Sequence, residues 1–421
     1  MTTTTIGTPA ANWAGNLVYD AIAVHRPESV EELCALVSDR PRIRALGSGH
    51  SFSPIADSPG GDLLRLEGLP AEVTIDAAAG TATVAAGMRY AEVNAALQPT
   101  GWALANLASL PHISVAGSCA TGTHGSGDGQ RCLAAAVTGL ELVGPDGTVS
   151  WIRRGQDGFD GSVVALGALG IVTRLTLEIE PAFQARQLVR LDVPLDEVAE
   201  DFDAVFGAAY SVSVFTDWRS AAVWLKQRVD RAPGPWSGGR AAEVEVHPVP
   251  GQPAGFSTAQ LGAPGPWHER LPHFRPEFVP GAGEELQSEY YLPRAAAPAA
   301  IAAVRELADL VAPVSHISEI RTVRADTLWL SPAYGRDSVT LHFTWIRDEA
   351  AVRPVLAAVE RRLRPLGARP HWGKLTAMSA DELAGCHERA GDFARLAAER
   401  DPEGKFGNRF LDSFLSAARR R

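Results

Sequence analysis

The residues able to carry chemistry gather in a few short runs. The first is Arg44-Ala45-Leu46-Gly47-Ser48-Gly49-His50-Ser51-Phe52. A short apolar strand leads into two glycines, whose bare backbone N–H groups can approach an anion such as a pyrophosphate. A histidine directly after them sits at the mouth of a ligand site, although such a sequence also occurs in ordinary turns. The second run, Ala116-Gly117-Ser118-Cys119-Ala120-Thr121-Gly122-Thr123-His124-Gly125-Ser126-Gly127, is nearly all small residues, with three hydroxyls beyond Cys119. Neither periodic nor charged, it makes a poor core element and a good wall for an extended polar ligand. The competing reading is a flexible linker. His124 within it, and His112 ahead of Ile113, fit structural roles as well as site roles.

Two further segments are read face by face, since strand side chains alternate with period two. In His316 to Val323, Glu319 and Arg321 share a face with Ile317 and Val323, opposite His316, Ser318, Ile320 and Thr322. In Thr340 to Trp345, His342 and Thr344 lie opposite Leu341, Phe343 and Trp345. If the Glu-x-Arg and His-x-Thr faces point the same way, they form a patch suited to gripping hydroxyl groups; a solvated face with a Glu–Arg ion pair is the alternative. Pro370-His371-Trp372-Gly373-Lys374 adds a lysine after an aromatic and a glycine. Asn106 to His112 places Ser109 in a polar insertion just before the glycine-rich run.

Elements must bring these runs together. Ser29 and Glu32 suit a capping box opening a helix with Leu33, Leu36 and Val37, and the strand Arg42–Leu46 follows. Val73–Asp76 with Thr81–Ala85, and Leu140–Val143 with Val149–Ile152, read as hairpins. A helix covers about 91–97, and a strand from Ile171 to Ile179 ends at Pro181. Beyond it, strands at Val212–Thr216, Val223–Arg228, Ile317–Val323 and Ser338–Trp345 accompany helices near 298–310 and 350–363. A Pro/Gly-rich stretch, 232–283, has no predicted element. This pattern is α+β with an antiparallel sheet, followed by a helical tail carrying Phe393, Leu396, Phe406, Phe410 and Leu411.

Composition narrows the function. A chain of 421 residues exceeds one core, so two domains are expected. The net charge of -10 argues against nucleic acid and anionic membrane surfaces as partners. No apolar run reaches transmembrane length, and Met1 followed by four threonines shows no secretory leader. Cys34, Cys119, Cys132 and Cys386 are too far apart for a zinc site or a disulfide framework, which suggests reduced thiols in the cytoplasm and no metal. H-E-x-x-H, P-loop and G-x-S-x-G motifs are missing.

In their order, these runs resemble the vanillyl-alcohol-oxidase-type flavoproteins, and within them the alditol (xylitol) oxidases. The resemblance covers essentially the whole chain. It rests on Asn12 to Asn16, Leu46 to Phe52, Leu107 to Ser118, Ala120 to Gly127, Phe215 to Arg219, Pro264 to Phe274, Glu319 to Thr322 and Pro370 to Lys374. It implies an α+β two-domain oxidase: residues 1–181 binding FAD, 182–372 forming a substrate cap with an antiparallel sheet, and 373–421 returning to the FAD domain. It further implies that His50 carries FAD covalently, and that Gly47, Ser48, Gly49, Ser51, Ser118, Thr121, Gly122, His124 and Gly125 help bind it. Ser109, Glu319, Arg321, His342, Thr344 and Lys374 map to the substrate site.

The reaction implied is oxidation of a terminal alditol hydroxyl to an aldehyde, hydride passing to the flavin and oxygen being reduced to hydrogen peroxide. Arg321 and Lys374 are expected to lower the alcohol's effective pKa, with His342 as proton acceptor. Partners are then a small polyol and oxygen, and a monomer is expected. An aldonolactone oxidase of the same group is the nearest rival. A flavin-free sugar-binding protein is the rival from another class.

Overall fold

The computed structural model describes residues 11–278 and 284–421; the leader reading at Met1–Thr5 and the end of the 232–283 stretch lie outside them. Ser29 stops the chain in extended geometry and its hydroxyl accepts the Glu32 N–H at 3.1 Å, opening the helix Val30–Asp39. Glu32 itself turns back to the Glu28 N–H. Leu33, Leu36 and Val37 share its buried face, and the helix delivers the chain to Ile43–Leu46. That strand belongs to a three-stranded parallel sheet with Asp62–Arg65 and Ala23–His25. The Val73–Asp76 and Thr81–Ala85 hairpin joins Ile171–Glu178, Val137–Val143 and Val149–Arg153 in a five-stranded antiparallel sheet.

The glycine-rich run is partly helical, which corrects its reading as aperiodic. Val115–Ala120 forms a short helix in which Val115, Ser118 and Cys119 are buried while Ala116, Gly117 and Ala120 are less so. Val115 and Cys119, four apart, give it an inward stripe despite its lack of bulk. Only the part from Thr121 onward is irregular.

The second body is a nine-stranded antiparallel sheet ordered Arg240–Ala241, Gln184–Pro194, Ser220–Arg228, Ser211–Thr216, Ser315–Val323, Ser338–Ile346, Glu285–Pro293 and Arg369–Pro370, with Gly265–Pro266 beside Gln184–Pro194. Two of its long strands, Gln184–Pro194 and Glu285–Pro293, escape the sequence reading. One face presents Val214, Ile320, Leu341, Phe343, Trp345, Tyr290 and Leu286 to the helices Ala297–Arg305 and Glu349–Leu363, closing a core. The other face is polar and points to the site.

A separate core joins the N-terminal sheets to the tail, through Phe393, Phe406, Leu411 and Phe414. Asn408 fixes that return. Its side chain caps the helix Arg409–Arg419 and donates to the carbonyls of Pro54, Ile55 and Asp57, just beyond His50. Leu328 and Leu330, in the middle of the cap sequence, also cross into this first core. No helix of the described residues is long and apolar enough to cross a membrane.

Candidate active site

Residues from both bodies line a cavity of about 780 Å³. Gly47 to Phe52 form one wall. Gly49 takes φ +71°, a left-handed geometry that glycine adopts without strain. A Cβ on Gly47 would run into Ser114 Oγ, and Ser48 Oγ accepts the Ser114 N–H at 3.2 Å. The turn is thereby locked against the start of Val115–Ala120. His50 stacks on Trp13, ring centroids 5.3 Å apart at 19°, and its Nδ1 is buried without a hydrogen-bond partner. Burial, and next the charge of Lys374, push His50 down to about 4, so the ring is neutral at pH 7 with a free lone pair.

Ser51, Ser118, Thr121, Thr123 and His124 also line the cavity. Ser118 Oγ donates to the Val115 carbonyl at 2.8 Å, and Thr121 Oγ1 to the Gly117 carbonyl at 3.1 Å. Gly122 and Gly125, expected beside the cofactor, are not among the lining residues. Gly122 presents its carbonyl to Tyr291 Oη at 3.1 Å, and a Cβ on Gly125 would strike Asn106 Oδ1 and the Leu107 carbonyl. A left-handed backbone, φ +69°, suits glycine at 122, and close packing does at 125.

The opposite wall is the polar face of the large sheet. Phe215, Glu319, His342 and Glu289 lie directly opposite one another in turn, a row across four strands. The Glu-x-Arg and His-x-Thr faces therefore coincide. Arg321 Nη2 donates to Glu289 Oε1 at 2.6 Å, and Arg321 Nε lies 3.4 Å from Glu319 Oε2. His342 reaches Glu289 Oε2 through Nδ1 at 3.4 Å and Thr344 Oγ1 through Nε2 at 3.3 Å. Lys374 Nζ donates to Gln287 Oε1 and stands 5.1 Å from the Phe52 ring centroid. Ser109 lines the cavity, and its carbonyl accepts the N–H groups of His273 and Phe274.

Burial alone would neutralise these charges; pairing keeps them. For Glu319, burial raises the carboxyl, but Arg321 and then His273 outweigh it and hold the group well below the carboxylate range. Glu289 is held down in the same way, chiefly by Arg321 against its burial. Lys374 is pushed down to about 8, by burial first, while Glu289 pulls it back up. Burial also lowers His342, leaving it neutral.

Among the lining residues outside the sequence-derived set, four stand at the polar wall and bear on its chemistry. Glu289 comes from a strand the sequence reading lacks, although Glu285, Gln287 and Glu289 alternate there as the period-two rule would show. His273 bonds Glu319 Oε1 at 3.1 Å, and His371 stacks near Tyr291. Parity places His316 on the face away from Glu319. Ser315 and Ile317 oppose the adjacent Trp345 and Thr344, so His316 is an extra residue in a bulge, and it lines the cavity. His25, by contrast, is paired to Asp62 at 2.8 Å and does not line it. Among the described residues, no group of three or more His, Cys, Asp or Glu is placed to hold a metal.

The FAD binding domain family matches residues 21–153, and the D-arabinono-1,4-lactone oxidase family matches 284–414. The fold is similar to that of cholesterol oxidase from B. sterolicum, with TM-score 0.78 at 15% identity over 98% of this chain and 97% of that one. A solvent-stable cholesterol oxidase gives 0.81 at 15% identity, covering 98% of each chain. Fold and cavity together define the class: two-domain flavoprotein oxidoreductases that bind FAD. Within that class, an alditol oxidase from Streptomyces sp. is 51% identical over 415 residues, covering 97% of this chain and 100% of the relative. The chain belongs to the alditol oxidase family. An L-gulono-1,4-lactone dehydrogenase from Mycobacterium tuberculosis is more distant, 28% identical over 427 residues and covering 93% of this chain and 94% of that one.

Proposed function

We infer that the protein oxidises a terminal primary hydroxyl of an alditol, such as xylitol or sorbitol, to the aldose, using FAD and oxygen and releasing hydrogen peroxide. The observation that carries this reading is the row Glu319–His342–Glu289, with Arg321 and Lys374 beside it, facing the glycine turn that bears His50. A linear polyol needs such a row of donors and acceptors. Bound FAD supplies the hydride acceptor and returns the electrons to oxygen.

The residues present fit that cofactor. Gly47 and Gly49 bare the backbone of the turn, and neutral His50 keeps an Nδ1 that no hydrogen bond occupies, as a covalent tether requires. Ser118, Thr121 and His124 are proposed to complete the cofactor wall. Arg321 and Lys374 stabilise negative charge growing on the substrate oxygen, which lowers the cost of losing its proton. His342 takes that proton at Nε2, and Ser109, Glu319 and Thr344 orient the remaining hydroxyls.

The bulk of the two cores supports residues 1–181 with 373–421 as the FAD-binding unit and 182–372 as the cap, with crossings in both directions: Phe183, Ala185, Trp267, Leu271, Leu328, Leu330 and Trp372 pack in the first core, and Ala14, Phe52 and Leu375 in the second. Four free cysteines suit a reducing compartment, and we propose a cytoplasmic monomer.

The test is peroxide formation with xylitol and sorbitol against L-gulono-1,4-lactone. Alditol turnover well above lactone turnover is expected; the reverse order would replace this reading with the lactone one, which the match over 284–414 favours. Acid precipitation of purified protein should leave yellow flavin in the pellet.

A further inference from the structure

We propose that Glu289 is a positioning residue for this oxidation: its carboxylate holds His342 as the Nδ1–H tautomer, so that Nε2 faces the cavity as the proton acceptor. The proposal rests on the alditol reading for its role and on geometry for its substance. Glu289 and His342 are directly opposed on neighbouring strands, and the Glu289 side chain is 2% exposed. An ionised carboxylate only accepts hydrogen bonds, so the ring nitrogen that faces it must carry the proton. Oε1 is occupied by Arg321 at 2.6 Å and His124 at 2.9 Å, which leaves Oε2 for His342 Nδ1. The other ring nitrogen then has a lone pair, beside the Thr344 hydroxyl.

Glu319, also opposite His342, does not compete for this role, because it is engaged by His273 and Arg321. Around Glu289 stand His124, Arg321, His342, His371 and Lys374 from the facing elements, with Tyr291 next to it on its own strand. Its negative charge supports protonation of both His342 and Lys374. Removing that charge must lower both groups. The acidic limb of kcat/KM, where His342 gains a proton, and the basic limb, where Lys374 loses one, both move to lower pH.

The test uses FAD-loaded wild type, Glu289→Gln, His342→Gln and the double variant. Glu289→Gln should lose about 10²-fold in kcat with KM changed only a few-fold, and both pH limbs should shift downward. In the His342→Gln background, at a pH low enough to keep Lys374 protonated, the same change should cost less than about threefold more, since a residue acting on proton transfer through His342 has nothing left to act on there. Additive losses, or unmoved limbs, would overturn the proposal.

A second readout needs neither turnover nor a folded Glu289 variant. NMR of wild type labelled with ¹⁵N-histidine, with His342 assigned by its loss in His342→Gln or by selective relaxation from bound substrate, should show the proton on Nδ1. A proton on Nε2 rejects the idea. If alditols prove not to be substrates, the oxidation reading fails while the tautomer result stands apart from it.

Discussion

Lys374 shows how one residue couples burial to activity. Partly buried, bonded to Gln287 and resting by the Phe52 ring, it titrates at about 8 rather than in the usual lysine range. Its proposed role needs the ammonium form, so kcat/KM on xylitol should fall roughly tenfold per pH unit above about 8. Lys374→Arg keeps its charge at every accessible pH and should abolish that limb, at reduced rate. His50→Ala should release all flavin to the supernatant on acid precipitation while the fold persists, because the ring's main contact is the Trp13 stack. At this scale the sequence was readable where residue type and backbone conspire. His50 stands out because two glycines precede it. Glu289 does not, because a glutamate that alternates with Gln287 and Glu285 looks solvated until its strand is known to be buried.

The elements explain both the successes and the misses. Parity along Ser315–Val323 and Ser338–Ile346 correctly joins Glu319 to Arg321 and His342 to Thr344, but cannot say that the two strands pair in register. It fails at His316, since a bulge inserts one residue without any sequence mark. Gln184–Pro194 and Glu285–Pro293 hide because a polar residue interrupts the apolar face of each, Gln187 between Ala185 and Val189 and Ser288 between Leu286 and Tyr290.

Loops are fixed from the strands as well. Lys226 is fully buried and donates to three consecutive carbonyls, Arg270 at 3.0 Å, Leu271 at 2.7 Å and Pro272 at 2.8 Å. It thus anchors the loop that sets His273 against Glu319. Lys226→Met leaves those carbonyls unmet, and denaturant unfolding should report a loss of about 3 kcal/mol. Near the cofactor turn, Gly87 is squeezed against backbone: a Cβ there would meet the Leu66 carbonyl and lie 2.8 Å from Glu67 N. Gly87→Ala should therefore reduce flavin content, read as the ratio of flavin to protein absorbance.

At the scale of the molecule, the fold encloses histidines that burial keeps neutral. His387 stacks on Trp372 at 4.7 Å with neither ring nitrogen partnered, and is pushed down to about 3 by burial, then by Arg369 and Arg336. His273 is pushed down to about 4. In the unfolded chain both would titrate near 6.5. Between those values the unfolded state binds protons that the native state refuses, so stability is full above about pH 6.5 and declines below it. Each histidine contributes about 1.4 kcal/mol per pH unit. Thermal unfolding followed from pH 7 to 5 should show this decline, and His387→Phe, which keeps the stack, should make it shallower.

Under the proposed substrate placement, the row Phe215–Glu319–His342–Glu289 also acts as a ruler. Neighbouring strands lie about 4.8 Å apart, while carbons one and five of an extended polyol are separated by about 5 Å, two steps of about 2.5 Å each. Sheet and substrate are nearly commensurate, so one strand spacing measures one pentitol backbone. Such a ruler cannot be recalibrated by sliding, because slipping a strand by one residue would turn its whole polar set into the apolar core. Relatives that prefer longer or shorter substrates must diverge in side-chain length along a fixed grid, not in the grid itself.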